Sequence, residues 1–215
     1  MNHTNIGELL AKIPSSLSAT DAKSRFWHIW KTNEPLLCKG VCFPRTTQDV
    51  STIMQWCHKH QQEVVVHGGL TNLVGSTQTK PDQLVVSLEK MNAIDPVDNR
   101  NRTIAAQAGD GLENVLDAAQ QEQFFLPLSF GARGSAQVGG IISTNAGGLR
   151  VFRYGMTRNW VLGLEVVLPD GTIIENLKNL RKDNSGVDLK QLFIGSEGIL
   201  GVVTKAVFRL VEQTP

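Results

Sequence analysis

Glycine interleaved with large apolar residues is the feature of this sequence that most restricts the folds open to it. The chain has 20 glycines in 215 residues, and many of them lie between Gly131 and Gly201 with Ile, Val and Leu among them. A flexible linker lacks such apolar residues, so this is not low-complexity sequence. Glycine in an apolar segment instead indicates backbone packed closely against another backbone or against a ligand.

Length, charge and cysteine content exclude several classes of protein. A chain of 215 residues can bury a sizeable core as one large domain or two small ones. The formal net charge of +1 gives no support for a nucleic-acid partner. No apolar run approaches the ~20 residues that span a bilayer, and residues 1–10 lack the pattern of a secretory signal. Three cysteines are too few for a disulfide scaffold. A cytoplasmic protein is therefore expected.

The pattern after residue 40 is that of a strand, a capped helix and a second strand. A short apolar run at 41–43 precedes Thr46, which with Asp49 is typical of a helix N-cap. Apolar residues then recur at helical spacing up to Cys57, and the β-branched run at 63–66 follows. This order favours a right-handed parallel crossover.

Further strands follow, and the later ones have the pattern of a β-hairpin. Strands are predicted at 84–88, 103–108, 161–168, 172–174 and 201–210, with a helix that begins near Leu112 and a turn at Asp170-Gly171. The mixture predicts an α+β fold with two subdomains, a small parallel βαβ part at 41–109 and a larger, mostly antiparallel sheet flanked by helices at 110–215. Residues 1–40 are expected to form an N-terminal helical segment, helical from Ile6 to Lys31.

Three glycine-containing segments are candidates for a binding site. The loop from His67 to Ser76 follows a buried strand and exposes consecutive N–H groups that suit a phosphate, although it matches neither the P-loop nor the dinucleotide fingerprint. The segment from Pro127 to Gly148 combines glycines with Ser, Thr and Asn side chains, which suits a planar ligand with a polar edge. The segment 193–201 is a loop that enters a strand. An ordinary glycine turn and tight backbone packing remain alternatives for the first two.

Other polar residues favour structural roles. His58 and His60 are two apart on the first helix and face different directions, so no metal site is expected. The cysteines lack a C-x-x-C pair and are expected to be buried thiols. Arg150, Arg153 and Arg158 follow the second segment and either face an anionic group or form surface contacts.

The order of these segments resembles the FAD-binding domain of the vanillyl-alcohol oxidase and p-cresol methylhydroxylase flavoprotein family. The resemblance is carried by three stretches. They are Gly131–Gly148, then Leu149-Arg150 with Arg153–Gly155 and Val161–Leu168, and then Leu180–Gly186 with Asp188–Gly198, which contains the Gly-Ser-Glu-Gly run. It is strongest for the D-2-hydroxyacid branch, which includes D-2-hydroxyglutarate and D-lactate dehydrogenases and the glycolate oxidase D subunit. It implies a PCMH-type FAD-binding domain at 41–215 in an enzyme that oxidises a D-2-hydroxyacid by hydride transfer to flavin N5.

The resemblance also implies which residues bind FAD. The first segment would hold the pyrophosphate, the second would line the flavin, and residues near the end of the chain and Pro44 would lie towards the adenosine. These cofactor-binding residues are Pro44, His67, Gly68, Gly69, Leu70, Thr71, Asn72, Leu73, Gly75, Ser76, Pro127, Gly131, Ala132, Gly134, Ser135, Gly139, Gly140, Ile142, Ser143, Thr144, Asn145, Gly148, Glu197, Gly198, Gly201 and Val202.

Some positions depart from the family pattern. Leu70 replaces the usual Gly or Asn and is expected to narrow the loop, Ser76 replaces a common glycine, and His67 replaces Arg or Gln. His67 precedes the glycine pair, whereas the covalently attached histidine of some relatives follows it, so FAD is expected to be bound non-covalently.

The resemblance implies a C-terminal substrate domain that is absent from this chain, so no catalytic base is assigned. The partners implied are a 2-hydroxyacid and an electron acceptor. The chain alone is expected to fold, to bind FAD weakly, to turn over no hydroxyacid and to be able to form a homodimer through an apolar patch beside Gly139–Gly148. Two alternatives stay open: a flavin reductase or oxidase of another branch, and a non-catalytic flavin-binding module.

Overall fold

The computed structural model describes residues 6–213 and has an α+β fold. Its helices are α1 (Ile6–Lys12), α2 (Thr47–His60), α3 (Leu112–Gln121), α4 (Val138–Ser143), α5 (Val151–Tyr154) and α6 (Lys190–Phe193). Its strands are β1 (Leu17–Ser18), β2 (Gly40–Cys42), β3 (Val64–His67), β4 (Leu84–Ser87), β5 (Thr103–Gln107), β6 (Phe124–Phe125), β7 (Val161–Val167), β8 (Ile173–Asn176), β9 (Val202–Arg209) and β10 (Val211–Glu212).

The first sheet has the order β1-β2-β4-β3, in which β2, β4 and β3 are parallel. The predicted crossover is confirmed, with β4 lying between the two strands that α2 connects.

The predicted N-cap of α2 is also confirmed. The Thr46 hydroxyl accepts the Asp49 N–H at 3.1 Å, and the Asp49 carboxylate accepts the Thr46 N–H at 3.1 Å. These two hydrogen bonds satisfy backbone N–H groups that have no partner within the first turn of the helix.

The second sheet is antiparallel, with the order β5-β9-β7-β8. The predicted hairpin joins β7 to β8, and Gly171 at its turn has a φ of +87°, which favours glycine. A separate two-stranded ribbon pairs β6 with β10. One cluster of buried apolar side chains spans both larger sheets and includes Ile53 of α2, Val86 of β4 and Phe208 of β9.

Helix α2 links the two sheets through polar contacts as well as through the core. The Ser51 hydroxyl donates to the Gly171 carbonyl at 2.6 Å. The Glu165 carboxylate in β7 accepts from the Thr47 hydroxyl at 2.5 Å and from the Thr204 hydroxyl at 2.8 Å. The bonds of Ser51 and Thr47 fix α2, which connects two strands of the parallel sheet, against the antiparallel sheet.

The structure corrects two expectations. The helix predicted from Ile6 to Lys31 is wrong beyond Lys12, because β1, a 3₁₀ turn at Asp21–Ser24 and an irregular loop occupy that stretch. Strand β5 lies before residue 109 in sequence, yet it pairs with β9 of the antiparallel sheet. The division of the chain into subdomains at residue 109 stays a prediction, but the hydrogen bonds of β5 belong to the second sheet.

Candidate functional site

The loop that follows β3, residues 67–76, is here named the glycine loop. The His67 ring at its start is buried, and its Nε2 lies 2.8 Å from the Thr77 carbonyl oxygen. The Asn72 side chain donates to the Thr77 hydroxyl at 2.9 Å and accepts the Ser76 N–H at 3.1 Å. The loop is therefore closed on itself, and the next regular element along the chain is strand β4.

The glycine loop presents free hydrogen-bond donors. Among residues 6–213, the backbone N–H groups of 68 to 71 have no protein acceptor. Leu70 has a φ of +55°, in the left-handed region, which explains why Gly or Asn is usual at this position in the resembling family. Adjacent free N–H groups form a concavity that suits an anion.

The second segment meets the glycine loop at α4. An added Cβ on Gly68 would lie 3.6 Å from Gln137 Oε1 and 3.8 Å from the Gly140 backbone. Gly140 N–H also has no protein acceptor in the described part of the chain, since it lies in the first turn of the helix. Gln137 Oε1 is buried and has no hydrogen-bond partner. Donors and an unpaired acceptor thus meet where the loop touches the helix.

The two neighbouring glycines of α4 have different surroundings. An added Cβ on Gly139 would lie 2.9 Å from Ala108 Cβ, whereas one on Gly140 would have nothing within 4 Å. Gly139 is therefore required by its packing against Ala108, the residue that follows β5. Gly140 leaves open space beside the glycine loop.

The third segment packs against the C-terminal end of α4. The Glu197 N–H donates to the Ser143 carbonyl at 2.8 Å, and the Gly195 N–H donates to the Ile142 carbonyl at 3.1 Å. Arg158 connects the second and third segments. Its Nη2 donates to the Ile194 carbonyl at 2.9 Å, and its backbone N–H donates to Asn145 Oδ1 at 3.0 Å. The structure thus brings the three predicted segments together.

The predicted residues divide by exposure. The buried ones are Pro44, His67, Pro127, Gly139, Ile142, Gly201 and Val202. The side chains of Ile142 and Val202 belong to the apolar core, so only their backbone is available to a ligand. The half-buried or exposed ones are Gly68, Gly69, Leu70, Thr71, Asn72, Leu73, Gly75, Ser76, Gly131, Ala132, Gly134, Ser135, Gly140, Ser143, Thr144, Asn145, Gly148, Glu197 and Gly198.

Two of the arginines that follow the second segment, Arg150 and Arg153, pack against aromatic rings of this chain. Arg150 lies over the Phe125 ring at 4.6 Å, and Arg153 lies over the Tyr154 ring at 5.2 Å. The sequence pattern does not indicate Gln137 as a site residue, because an isolated glutamine before a helix matches no motif. Its signal is the unpaired buried Oε1, which only the packing reveals.

The three cysteines are buried free thiols, as predicted. Burial raises the pKa of Cys42 to about 11 and that of Cys57 to about 12, which disfavours the reactive thiolate. Within the described ranges, no group of three or more His, Cys, Asp or Glu side chains has an arrangement that would hold a metal ion. In the same residues, no helix is both long and apolar enough to cross a bilayer.

Burial gives His67 an unusual acid–base behaviour. It lowers the pKa of the ring from 6.5 to about 4, while the hydrogen bond with Thr77 opposes this shift. The ring is therefore neutral near pH 7 and protonates far more readily in the unfolded chain.

Acidification is expected to destabilise the chain through His67. Since the unfolded state binds the extra proton between about pH 6.5 and pH 4, the free energy of unfolding falls as the pH drops through this range. Between pH 7 and pH 5, protonation linked to His67 lowers the free energy of unfolding by about 2 kcal/mol. Urea unfolding followed by circular dichroism at both pH values measures it.

The matched control is His67→Gln, which keeps a side-chain N–H for the Thr77 carbonyl but does not titrate. Between pH 7 and pH 5, the free energy of unfolding of this variant is expected to fall by about 2 kcal/mol less than that of the wild type. Equal losses in the two proteins would show that His67 is not the titrating group.

These features fit the cofactor that the resemblance implies. Free N–H groups at 68 to 71 and at Gly140 suit a diphosphate, and the unpaired Gln137 Oε1 suits a hydroxyl or N–H donor. An added Cβ would meet nothing within 4 Å at five glycines, of which all but Gly186 are predicted site residues: Gly75, Gly131, Gly140, Gly186 and Gly198. Among these, Gly140 lies where the glycine loop meets α4, so the open space at this position adjoins the free N–H groups of the loop.

Comparison with known proteins gives the same assignment. A model of the FAD binding domain family matches residues 38–176. D-2-hydroxyglutarate dehydrogenase, mitochondrial, of Danio rerio is 49% identical over 80% of this chain and 32% of its own length. The enzyme of the same name from Bos taurus is 48% identical over 77% of this chain and 30% of its own length. The chain thus spans about a third of the length of these relatives.

Solved structures show the same fold. Two structures of alkyldihydroxyacetonephosphate synthase match with TM-scores of 0.70 and 0.74, at 25% and 22% identity. They cover 81% and 91% of this chain, which corresponds to 32% and 35% of their own chains.

The relatives also correct one expectation. The cytoplasmic location predicted from the sequence is contradicted, because the names of these dehydrogenases place them in mitochondria. Fold, family model and relatives agree on the cofactor. The chain belongs to the FAD binding domain family, and its cofactor is FAD.

Proposed function

We propose that this chain is the FAD-binding part of an enzyme that oxidises a D-2-hydroxyacid. The names of its relatives support this substrate class. Because the matched region is about a third of those proteins, the substrate, the electron acceptor and a homodimer all belong to the proposal. Leu149 and Phe152, exposed at 93% and 104%, are the side chains that a dimer or another covering surface would bury.

The observation that carries the proposal is the set of free N–H groups at the contact between the glycine loop and α4. The diphosphate of FAD bears negative charge and needs donors at several oxygens. The N–H groups of residues 68 to 71 supply them without a lysine, and Gly140 adds one from the other side. We infer that these groups hold the diphosphate non-covalently.

The bound flavin would supply hydride acceptance at N5. The residues of this chain have a different task, which is to bind and orient. The backbone at Gly140 allows a close approach, and Gln137 Oε1 offers an acceptor beside it. We assign no residue of this chain as the base that removes the substrate proton.

Isothermal titration of the apo chain with FAD and with FMN tests the binding half of this proposal. FAD is expected to bind one to one, and FMN, which lacks the second phosphate and the adenosine, at least about tenfold more weakly. Equal affinities would contradict the assignment of the glycine loop to the diphosphate. Absence of FAD binding at millimolar concentration would contradict the whole proposal.

The substrate half is tested by fusing the chain to the remaining part of the Danio rerio relative. Anaerobic bleaching of the flavin absorbance by D-2-hydroxyglutarate, and not by its L enantiomer, is the expected result. Reduction by NADPH alone would instead favour the flavin reductase branch. The chain without the fusion is expected to show no reduction by any hydroxyacid.

A further inference from the structure

An irregular loop near the N-terminus, residues 25–36, is closed at its base. The Leu36 N–H donates to the Arg25 carbonyl at 2.7 Å, and Phe26 forms an antiparallel bridge with Pro35. The Trp27 indole donates to the Glu34 carboxylate at 3.2 Å across the loop. This 25–36 loop is therefore an ordered unit rather than a loose connection.

The 25–36 loop touches the glycine loop at two carbonyl groups. The Ile29 N–H donates to the Leu70 carbonyl at 3.3 Å. The His28 Nε2 bonds to the Asn72 carbonyl oxygen, and the side chain of His28 is buried, with 6% exposed. Both contacts are made to the backbone of the segment that carries the free N–H groups.

The hydrogen bonds of His28 define which ring nitrogen bears the proton. Its Nδ1 accepts the Trp30 N–H at 3.1 Å, so Nδ1 is unprotonated. The proton is on Nε2, which donates to the Asn72 carbonyl. His28 thus bridges the turn of its own loop to the glycine loop.

These contacts determine where the donors of the glycine loop point. In a trans peptide the C=O of one residue and the N–H of the next point in opposite directions. The Ile29 bond holds the Leu70 carbonyl towards the 25–36 loop and therefore aims the Thr71 N–H away from it. In the same way, the His28 bond to the Asn72 carbonyl aims the Leu73 N–H away and anchors the glycine loop two residues further on. Leu70 also has a φ of +55°, a conformation that a leucine seldom keeps without support.

We propose that His28 is a positioning residue for FAD, because the bridge it forms holds the glycine loop in the conformation that presents its N–H groups to the diphosphate. This inference rests on the proposed function. His28 itself does not touch the cofactor in this scheme. A loop held in advance loses less conformational entropy on binding, so loss of the bridge lowers the affinity.

A matched pair of variants separates the bridge from the fold of the 25–36 loop. His28→Asn keeps an acceptor close to the position of Nδ1 for the Trp30 N–H but does not reach Asn72. His28→Gln places an N–H donor near the position of Nε2 and restores the bridge. Titration calorimetry of FAD and amide hydrogen exchange of residues 68–75 without ligand are the two measurements.

His28→Asn is expected to weaken FAD binding at least about tenfold and to speed exchange in residues 68–75, whereas His28→Gln stays within about threefold of the wild type. Normal affinity in His28→Asn, with or without faster exchange, would overturn the inference and leave the proposed function standing. A wild-type chain that binds no FAD would overturn both. If His28→Asn does not fold, Ile29→Pro, which removes the N–H bonded to Leu70, is judged by the same criteria.

Discussion

Replacement of Gly69 by alanine is expected to lower the free energy of unfolding by about 3 kcal/mol and to abolish measurable FAD binding. An added Cβ would overlap the carbonyl oxygen of Ser135 and would lie 2.9 Å from its carbonyl carbon. Both neighbours are backbone atoms, so no side-chain rotation relieves the overlap. The glycine loop would have to separate from the segment that leads into α4, and the donors would lose their arrangement.

Urea unfolding of the apo chain and titration with FAD measure the two effects. Gly131→Ala is the stability control, because an added Cβ there has nothing within 4 Å. We expect its unfolding free energy to stay within about 0.5 kcal/mol of the wild type. A Gly69→Ala chain as stable as this control would refute the close contact between the two segments.

Substitution of the two neighbouring glycines of α4 is expected to have opposite effects. Gly139→Ala should destabilise the chain by about 2 kcal/mol, because the new methyl group meets Ala108. Gly140→Ala should leave the stability unchanged or raise it by up to about 1 kcal/mol, because alanine favours helix and the space is open. The same open space is where we place the cofactor, so Gly140→Ala should weaken FAD binding at least about tenfold.

The comparison is made on purified apo chains, with thermal or urea unfolding for stability and calorimetry for affinity. A Gly140→Ala variant that is stable and binds FAD normally would exclude contact between FAD and this face of α4. A Gly139→Ala variant of normal stability would contradict the packing described for Ala108.

Local patterns in the sequence were sufficient for the elements whose stability is local. The N-cap formed by Thr46 and Asp49 predicted where α2 begins, and Asp170-Gly171 predicted the hairpin turn, because each depends on residues close in the chain. The resemblance carried by the glycine segments predicted the family and the cofactor, and both are confirmed.

Other features depended on contacts between distant residues. The spacing of Trp27 and Trp30 suits one face of a helix, yet β1 pairs with β2 and the 25–36 loop closes on itself. Strand β5 follows the parallel sheet in sequence, but its partner β9 lies about 100 residues later, at Lys205 to Arg209. Tertiary pairing overrides the local preference in the first case, and in the second it decides which sheet a correctly predicted strand joins.

The sequence by itself determined that glycines would bring backbone close to backbone or to a ligand, and where the segments that contain them lie. It could not separate these two roles, since a glycine has no side chain whose chemistry reveals its neighbour. Only the tertiary structure distinguished Gly69 and Gly139, which pack against protein, from Gly140, which faces open space. The same holds for His28, because its bond to Asn72 spans 44 residues and exists only once the two loops are packed together.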